Sequence, residues 1–209
     1  MAEKKLDLYK EHRAEYAAKK SPALVEVGPA KYLSIEGQGA PESESFQAKV
    51  GAMYAMAFTI KMTRKFAGKG DYKVCHLEGL WWTDREIRSF ADLPPRDQWR
   101  WKLLIRVPDF ISPADLKAAQ ASAAKKGKAP EAPQVKLETI REGPCVQMLH
   151  VGPYGEEPRT IAVMEMFMKA EGLAFKGPHH EIYLSDPRRV PPERLRTVLR
   201  HPVRPANRR

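Results

Sequence analysis

The stretch His179-His180-Glu181-Ile182-Tyr183-Leu184-Ser185-Asp186-Pro187 reads as a strand with two unlike faces. Successive strand side chains alternate, so Ile182 and Leu184 point one way and His179, Glu181 and Tyr183 the other. Asp186-Pro187 ends it, because proline restricts the residue before it and gives no N–H to a ladder. A carboxylate beside a tyrosine on one face of a half-buried strand demands a reason. The stretch His76-Leu77-Glu78-Gly79-Leu80-Trp81-Trp82-Thr83-Asp84 has the same plan, with Glu78, Leu80 and Trp82 on one face. Two strands, each with a central glutamate and aromatics close behind it, suggest one site built twice.

The surrounding chain repeats with them. Glu142-Gly143-Pro144-Cys145 echoes Val27-Gly28-Pro29-Ala30, and Gly152 follows Gly143 at the spacing by which Gly37 follows Gly28. An internal duplication is expected, giving an α+β chain in which each copy is a strand, a helix and two strands. In the first copy, residues 23–107, Tyr32 to Gly37 reads as strand. Pro41 to Ser45 then supplies cap and acidic first-turn residues for a helix. Its apolar stripe is Phe46, Val50, Met53, Tyr54, Ala57, Phe58, Met62 and Phe66, with Phe58 central, and Gly68 stops it. The Glu78 strand follows, then a strand from Trp99 to Arg106. The second copy, residues 135–202, has a helix opening on Glu156, Glu157 and Pro158. Ile161, Met164, Phe167 and Met168 are its apolar stripe, and Gly172 ends it. The Glu181 strand comes next, then a short helix from Pro192. Residues 112–134 read as a mobile linker with a short helix from Ser112-Pro113. Residues 1–20 read as a charged leader packed on the outside, ahead of one domain over 21–202, and 203–209 as a basic tail.

A chain of 209 residues with 43% hydrophobic content can bury a sizeable core. No apolar run approaches the roughly 18 residues of a membrane span, and the charged N-terminus lacks a signal-peptide core. A cytoplasmic protein without a membrane partner is expected. Cys75 and Cys145 lack metal spacing and read as reduced thiols. His179 and His180 are adjacent and project to opposite strand faces, so no metal is expected. Neither a nucleotide-binding glycine loop nor a serine elbow occurs, so no cofactor is expected. The net charge of +10 sits largely in Lys117–Lys128 and Arg188–Arg209. Neither segment interleaves aromatics with its charges, so solvated basic ends are the stronger reading and nucleic-acid contact through the tail the weaker one.

Leu77-Glu78-Gly79-Leu80-Trp81-Trp82, Val151-Gly152-Pro153-Tyr154 and His180-Glu181-Ile182-Tyr183-Leu184-Ser185-Asp186-Pro187-Arg188-Arg189 together resemble the GyrI-like small-molecule-binding family, and Tyr54 and Lys61 suit it. The resemblance covers about residues 23–202. It implies two modules joined about a pseudo-twofold axis, with one groove between them for flat, often cationic molecules. A glutamate matching Glu181 lies at the groove's bottom. The Leu-Glu-Gly-Leu-Trp-Trp pattern resembles a branch of hydrolases that open the cyclopropane ring of duocarmycin- and yatakemycin-like genotoxins. Glu181 and Glu78 are then the candidate catalytic residues, as general base or as counter-charge to a cation. Trp82, Tyr183, Trp101, Tyr154 and Tyr54 are the candidate ligand-binding aromatics, and Trp81, on the Leu77 face, is assigned to the core. Two further readings stay open: a groove that sequesters ligands or senses effectors without turnover, and an interaction protein that uses its basic tail.

Overall fold

The computed structural model describes residues 5–85, 94–127 and 129–206. The N-terminal segment makes two single-turn helices, α1 (Leu8–Glu11) and α2 (Arg13–Tyr16). The first module follows as β1 (Ala23–Gln38), α3 (Glu44–Phe66), β2 (Glu78–Trp82) and β3 (Arg100–Arg106). After α4 (Pro113–Lys125), the second module runs β4 (Lys136–Val151), α5 (Glu157–Ala170), the short β5 (Leu173–Phe175), β6 (His179–Tyr183) and β7 (Arg196–Pro205). The duplicated strand–helix–strand–strand plan is therefore present. Part of the segment between β2 and β3, and residues 207–209 of the tail, lie outside the described residues.

The sheet order is β4-β1-β3-β2-β6-β7, and β4 also pairs with β7, so the six strands close into a barrel of antiparallel neighbours. The two modules meet at two equivalent seams, β1 with β4 and β2 with β6. Each seam pairs a strand with its counterpart in the other copy, as a pseudo-twofold requires. Closure removes the sheet edges that would otherwise invite pairing with other chains. It also gives every strand an inside and an outside face.

The outside of the first module is apolar. Leu33, Ile35, Trp101, Leu103 and Ile105 pack under α3 through Phe46, Met53, Met56, Ala57 and Ile60. The second module repeats this with Val146, Leu199 and Val203 under Ile161, Met164 and Met168 of α5. The inside sets a charged network among apolar side chains that include Tyr32, Leu80, Leu104, Ile182 and Val198. His180 bridges Glu142 (2.9 Å) and Glu78 (3.0 Å), Arg200 donates to Glu142 (2.9 Å), and Arg106 donates to Glu15 (2.6 Å). Burial opposes the charged form of His180, but Glu142 and Glu78 outweigh it and raise the imidazole to about 9. Buried charges persist only in such satisfied sets.

Four expectations change. The leader does not lie outside: it plugs the barrel, with Tyr16 donating to Glu78 (3.3 Å) and accepting from Arg106 (3.1 Å). The Arg200 guanidinium also donates to the Glu15 carbonyl. Residues 112–134 hold the helix expected from Ser112-Pro113, but as a packed segment rather than a mobile linker. A Ser112–Asp115 capping box starts α4, and Leu116, Ala119 and Ala123 are buried beneath it. Small alanines let α4 approach α3 closely, where Arg64 clamps Asp115 with two bonds (3.0 and 3.1 Å). The Arg188–Arg209 segment is not all solvated tail, because β7 occupies it as far as Pro205 with Arg200 0% and Val203 2% exposed. Phe58 is 51% exposed, since the core line of α3 runs through Met53, Met56, Ala57 and Ile60.

Candidate active site

The outer faces of β2 and β6 lie between α3 and α5 and form the floor of a groove of ≈ 1690 Å³. That exceeds the roughly 300–1,000 Å³ of a drug-sized pocket and leaves room for a large flat molecule. Phe46, Val50 and Tyr54 of α3 form one wall, and Tyr154, Glu157, Pro158 and Ile161 at the start of α5 form the other. The alternation of β6 sends His179, Glu181 and Tyr183 to this face, while His180 and Ile182 turn into the barrel. Tyr183 donates to Glu181 Oε2 (2.8 Å), and Trp81 Nε1–H donates to the Tyr183 hydroxyl (3.1 Å). Donation to Tyr183 leaves its own proton directed at the carboxylate. Gly79 makes this chain of bonds fit: a Cβ there would sit 2.8 Å from Trp81 Nε1 and 2.9 Å from the Tyr183 hydroxyl oxygen.

Glu181 has further neighbours. His179 Nε2 lies 3.3 Å from Glu181 Oε1, and His179 Nδ1 lies 2.5 Å from His201 Nε2. Burial, then the neighbouring His179 and His180, hold His201 well below the usual imidazole range. Glu157 comes in from the first turn of α5 and is 6% exposed. Burial, then the charge of Glu181, push its carboxyl well above the usual range. Glu157, His179 and Glu181 bring three potential ligand atoms within 4.8 Å of one another, so these are the described residues that could hold a cation. Tyr154 stands edge-on to Tyr183 (5.9 Å between centroids), and burial, Glu157 and Glu181 raise its hydroxyl to about 12.

The GyrI-like small molecule binding domain model matches residues 110–204. An uncharacterized conserved protein from Listeria innocua is 42% identical with a TM-score of 0.89, over 96% of this chain and 100% of that one. The chain belongs to the GyrI-like family. A hydrolase encoded by lin2189 from Listeria innocua is 41% identical with a TM-score of 0.86, over 96% of this chain and 100% of that one. The EcmrR C-terminal domain matches at 13% identity and a TM-score of 0.57, over 89% of this chain and 98% of that one, which shows the fold alone. No curated protein matches the sequence.

Against this GyrI-like frame the expected site residues divide. Glu181, Tyr183, Tyr154, Tyr54 and Trp82 all line the groove. Trp82 reaches it from the end of β2, and it also packs on the inward cluster of Tyr32, Leu80 and Leu104. Glu78 does not join Glu181: it is 0% exposed inside the barrel, on the opposite face of the sheet. Trp101 does not line the groove either. It is 0% exposed beneath α3, edge-on to Phe46 at 4.8 Å, with its N–H given to the Gly39 carbonyl. Lys61 is buried against Asp71 (2.8 Å), away from the groove. Trp81, assigned to the core, lines the groove while packing on Phe46 and Trp99. Glu157, His179 and His201 were missed as site residues. The available signal was a glutamate just before Pro158 at the second copy's helix start, which first-turn helix chemistry explained too readily.

Proposed function

We propose that the groove binds planar, hydrophobic molecules and hydrolyses a strained, electrophilic cyclopropane, as in duocarmycin- and yatakemycin-like genotoxins. The observation that carries this reading is the Glu181 carboxylate at the floor of an aromatic groove, held in place by the Tyr183 hydroxyl at 2.8 Å. Trp81, Tyr54, Tyr154 and Phe46 offer flat area to an aromatic plane. The hydrolase from Listeria innocua at 41% identity supports the reaction class.

Water adds across one ring bond. Its oxygen bonds to the cyclopropane methylene while Glu181 takes up one of its protons. The breaking C–C bond sends its electron pair into the conjugated carbonyl, whose oxygen collects a proton and becomes a phenol. The sum is substrate plus one water, with no other reactant. The substrate supplies the electron sink, so the protein's work is positioning and proton acceptance.

Mass spectrometry of a cyclopropanoid incubated with the protein tests the proposal. The expected result is a water adduct whose rate is proportional to protein concentration. Tight binding with the ring intact would instead show a sequestering or effector-sensing groove.

A further inference from the structure

We propose that Glu157 and Glu181 work as one carboxyl pair around a single shared proton, with Glu157 the positioning residue that keeps Glu181 aimed into the groove. Glu157 opens α5 and Glu181 is the central residue of β6, so the two carboxyls come from different elements and meet at the groove floor. One oxygen of each and a nitrogen of His179 lie within 4.8 Å of one another, and the Glu157 carboxyl is hydrogen-bonded to Glu181. An ionised carboxylate only accepts, so two carboxyl groups bond to each other only when one of them carries a proton. That proton supplies the link between two buried acids that a cation would otherwise supply.

The surroundings decide which partner keeps the proton. Among the described residues, no lysine or arginine nitrogen comes within 4.0 Å of either carboxyl, so two full charges would face each other uncompensated. Glu181 has the means to carry the one charge. The Tyr183 hydroxyl donates to its Oε2 at 2.8 Å, and His179 Nε2 stands 3.3 Å from its Oε1. Glu157 is the more deeply buried of the two, at 6% exposed, and burial disfavours the charged form. Its raised carboxyl agrees with this assignment. Glu157 is therefore the neutral donor and Glu181 the charged acceptor.

Held by Tyr183 and by Glu157, the Glu181 carboxylate cannot turn without breaking both bonds. An ionised carboxylate offers about four acceptor positions, so capacity remains for a water in the groove. When Glu181 takes that water's proton, the pair holds two protons, and release of one to solvent restores it. This role rests on the hydrolytic reading above; the pair itself stands on the two side chains, and it gives the floor one negative charge rather than two.

The test begins with infrared difference spectra of full-length protein carrying carbon-13-labelled glutamate at pH 7. Wild type should show a protonated carboxylic acid band that Glu157→Gln removes. Its absence from wild type, or its persistence unchanged in the variant, would overturn the proposal, and neither result depends on turnover. Binding of a planar cationic dye then counts the charge. Glu157→Gln should leave affinity within about 2-fold, and adding Glu181→Gln should weaken it by at least about 5-fold; a Glu157→Gln loss as large as that of the double variant would mean that both acids are ionised. Cyclopropanoid turnover reads the positioning role. Glutamine still donates an N–H, so Glu157→Gln should keep kcat within about 3-fold, whereas Glu157→Leu should lower kcat by about 10–100-fold with little change in KM, the worth of a hydrogen bond to a charged group. Equal losses in the two variants, or none in Glu157→Leu, would overturn that role. Thermal melts show that each variant is folded. A wild type with the band and without turnover refutes hydrolysis and leaves the pair established, so the two failures are distinct.

Discussion

Glu142→Gln should lower stability by about 3 kcal/mol at neutral pH, and that penalty should vanish in acid. Glu142 lies inside the barrel, where His180 Nδ1 and Arg200 Nη1 both donate to it at 2.9 Å. Burial works against its charge, but His180 and Arg200 together draw the carboxyl down from 4.5 to about 2. A depression of roughly 2.5 units at about 1.36 kcal/mol each is about 3 kcal/mol. The raised imidazole of His180 is largely the same ion pair seen from its other end, so it is not added. Because the folded value lies below the unfolded one, the contribution is complete above about pH 4.5 and is lost as pH falls through about 2. Glutamine keeps the shape and one acceptor, but it turns an N–H₂ toward a donor and leaves Arg200, 0% exposed, short of its counter-charge. Breaking a buried pair from one side costs about 3–5 kcal/mol by the same logic. Urea melts of wild type and variant at pH 7, 5 and 3 measure the difference directly. A gap below about 1 kcal/mol at pH 7, or one that stays constant down to pH 3, would refute the electrostatic account of the barrel interior.

Four further outcomes follow from packing. Phe46→Ala should cost about 3–5 kcal/mol, as for a buried aromatic, because Phe46 is 7% exposed and wedged between Trp81 and Trp101. Phe58→Ala should cost under about 1 kcal/mol at its exposed position, and thermal melts separate the two. Leu116→Ala should cost about 2–3 kcal/mol, at the low end for buried leucine, if α4 is part of the core; an unchanged melting temperature would return residues 112–134 to linker status. Gly79→Ala should weaken binding of a neutral planar dye while leaving every charge in place, because its Cβ displaces Trp81 and Tyr183. Unaltered affinity would show that this floor is not where a ligand sits.

Strand alternation made the Glu181 face legible before any coordinates, and the repeated glycine spacing made the duplication legible. Alternation carries no sign, however. It placed Glu78 and Glu181 each on a strand face shared with an aromatic, but only barrel closure decides that one such face lines a sealed interior and the other a groove. Trp101 illustrates the same limit: its strand lies beneath α3 rather than between the helices. β7 was hidden because Arg196, Arg200 and Arg204 look like surface charge, and only a partner 58 residues away in sequence makes burial of Arg200 tolerable. Glu157 was hidden for the opposite reason. A local explanation, an acid in the first turn of a helix, was sufficient by itself and drew attention from the tertiary one. Alanine-rich α4 was legible as a short helix but not as a packed one, because its contribution is close approach, which hydrophobicity does not report.

The most direct measurement is turnover of a cyclopropanoid by wild type and by Glu181→Gln, alongside binding of a neutral planar dye to both. The substitution keeps the side chain's shape and removes its basicity. Wild type should form the water adduct, and the variant should form it about 10²–10⁴-fold more slowly, the usual worth of a general base, while binding the neutral dye as before. Wild-type turnover that survives in Glu181→Gln, or a wild type that binds the substrate and never opens it, would contradict the assignment of Glu181 as the centre of a hydrolytic groove.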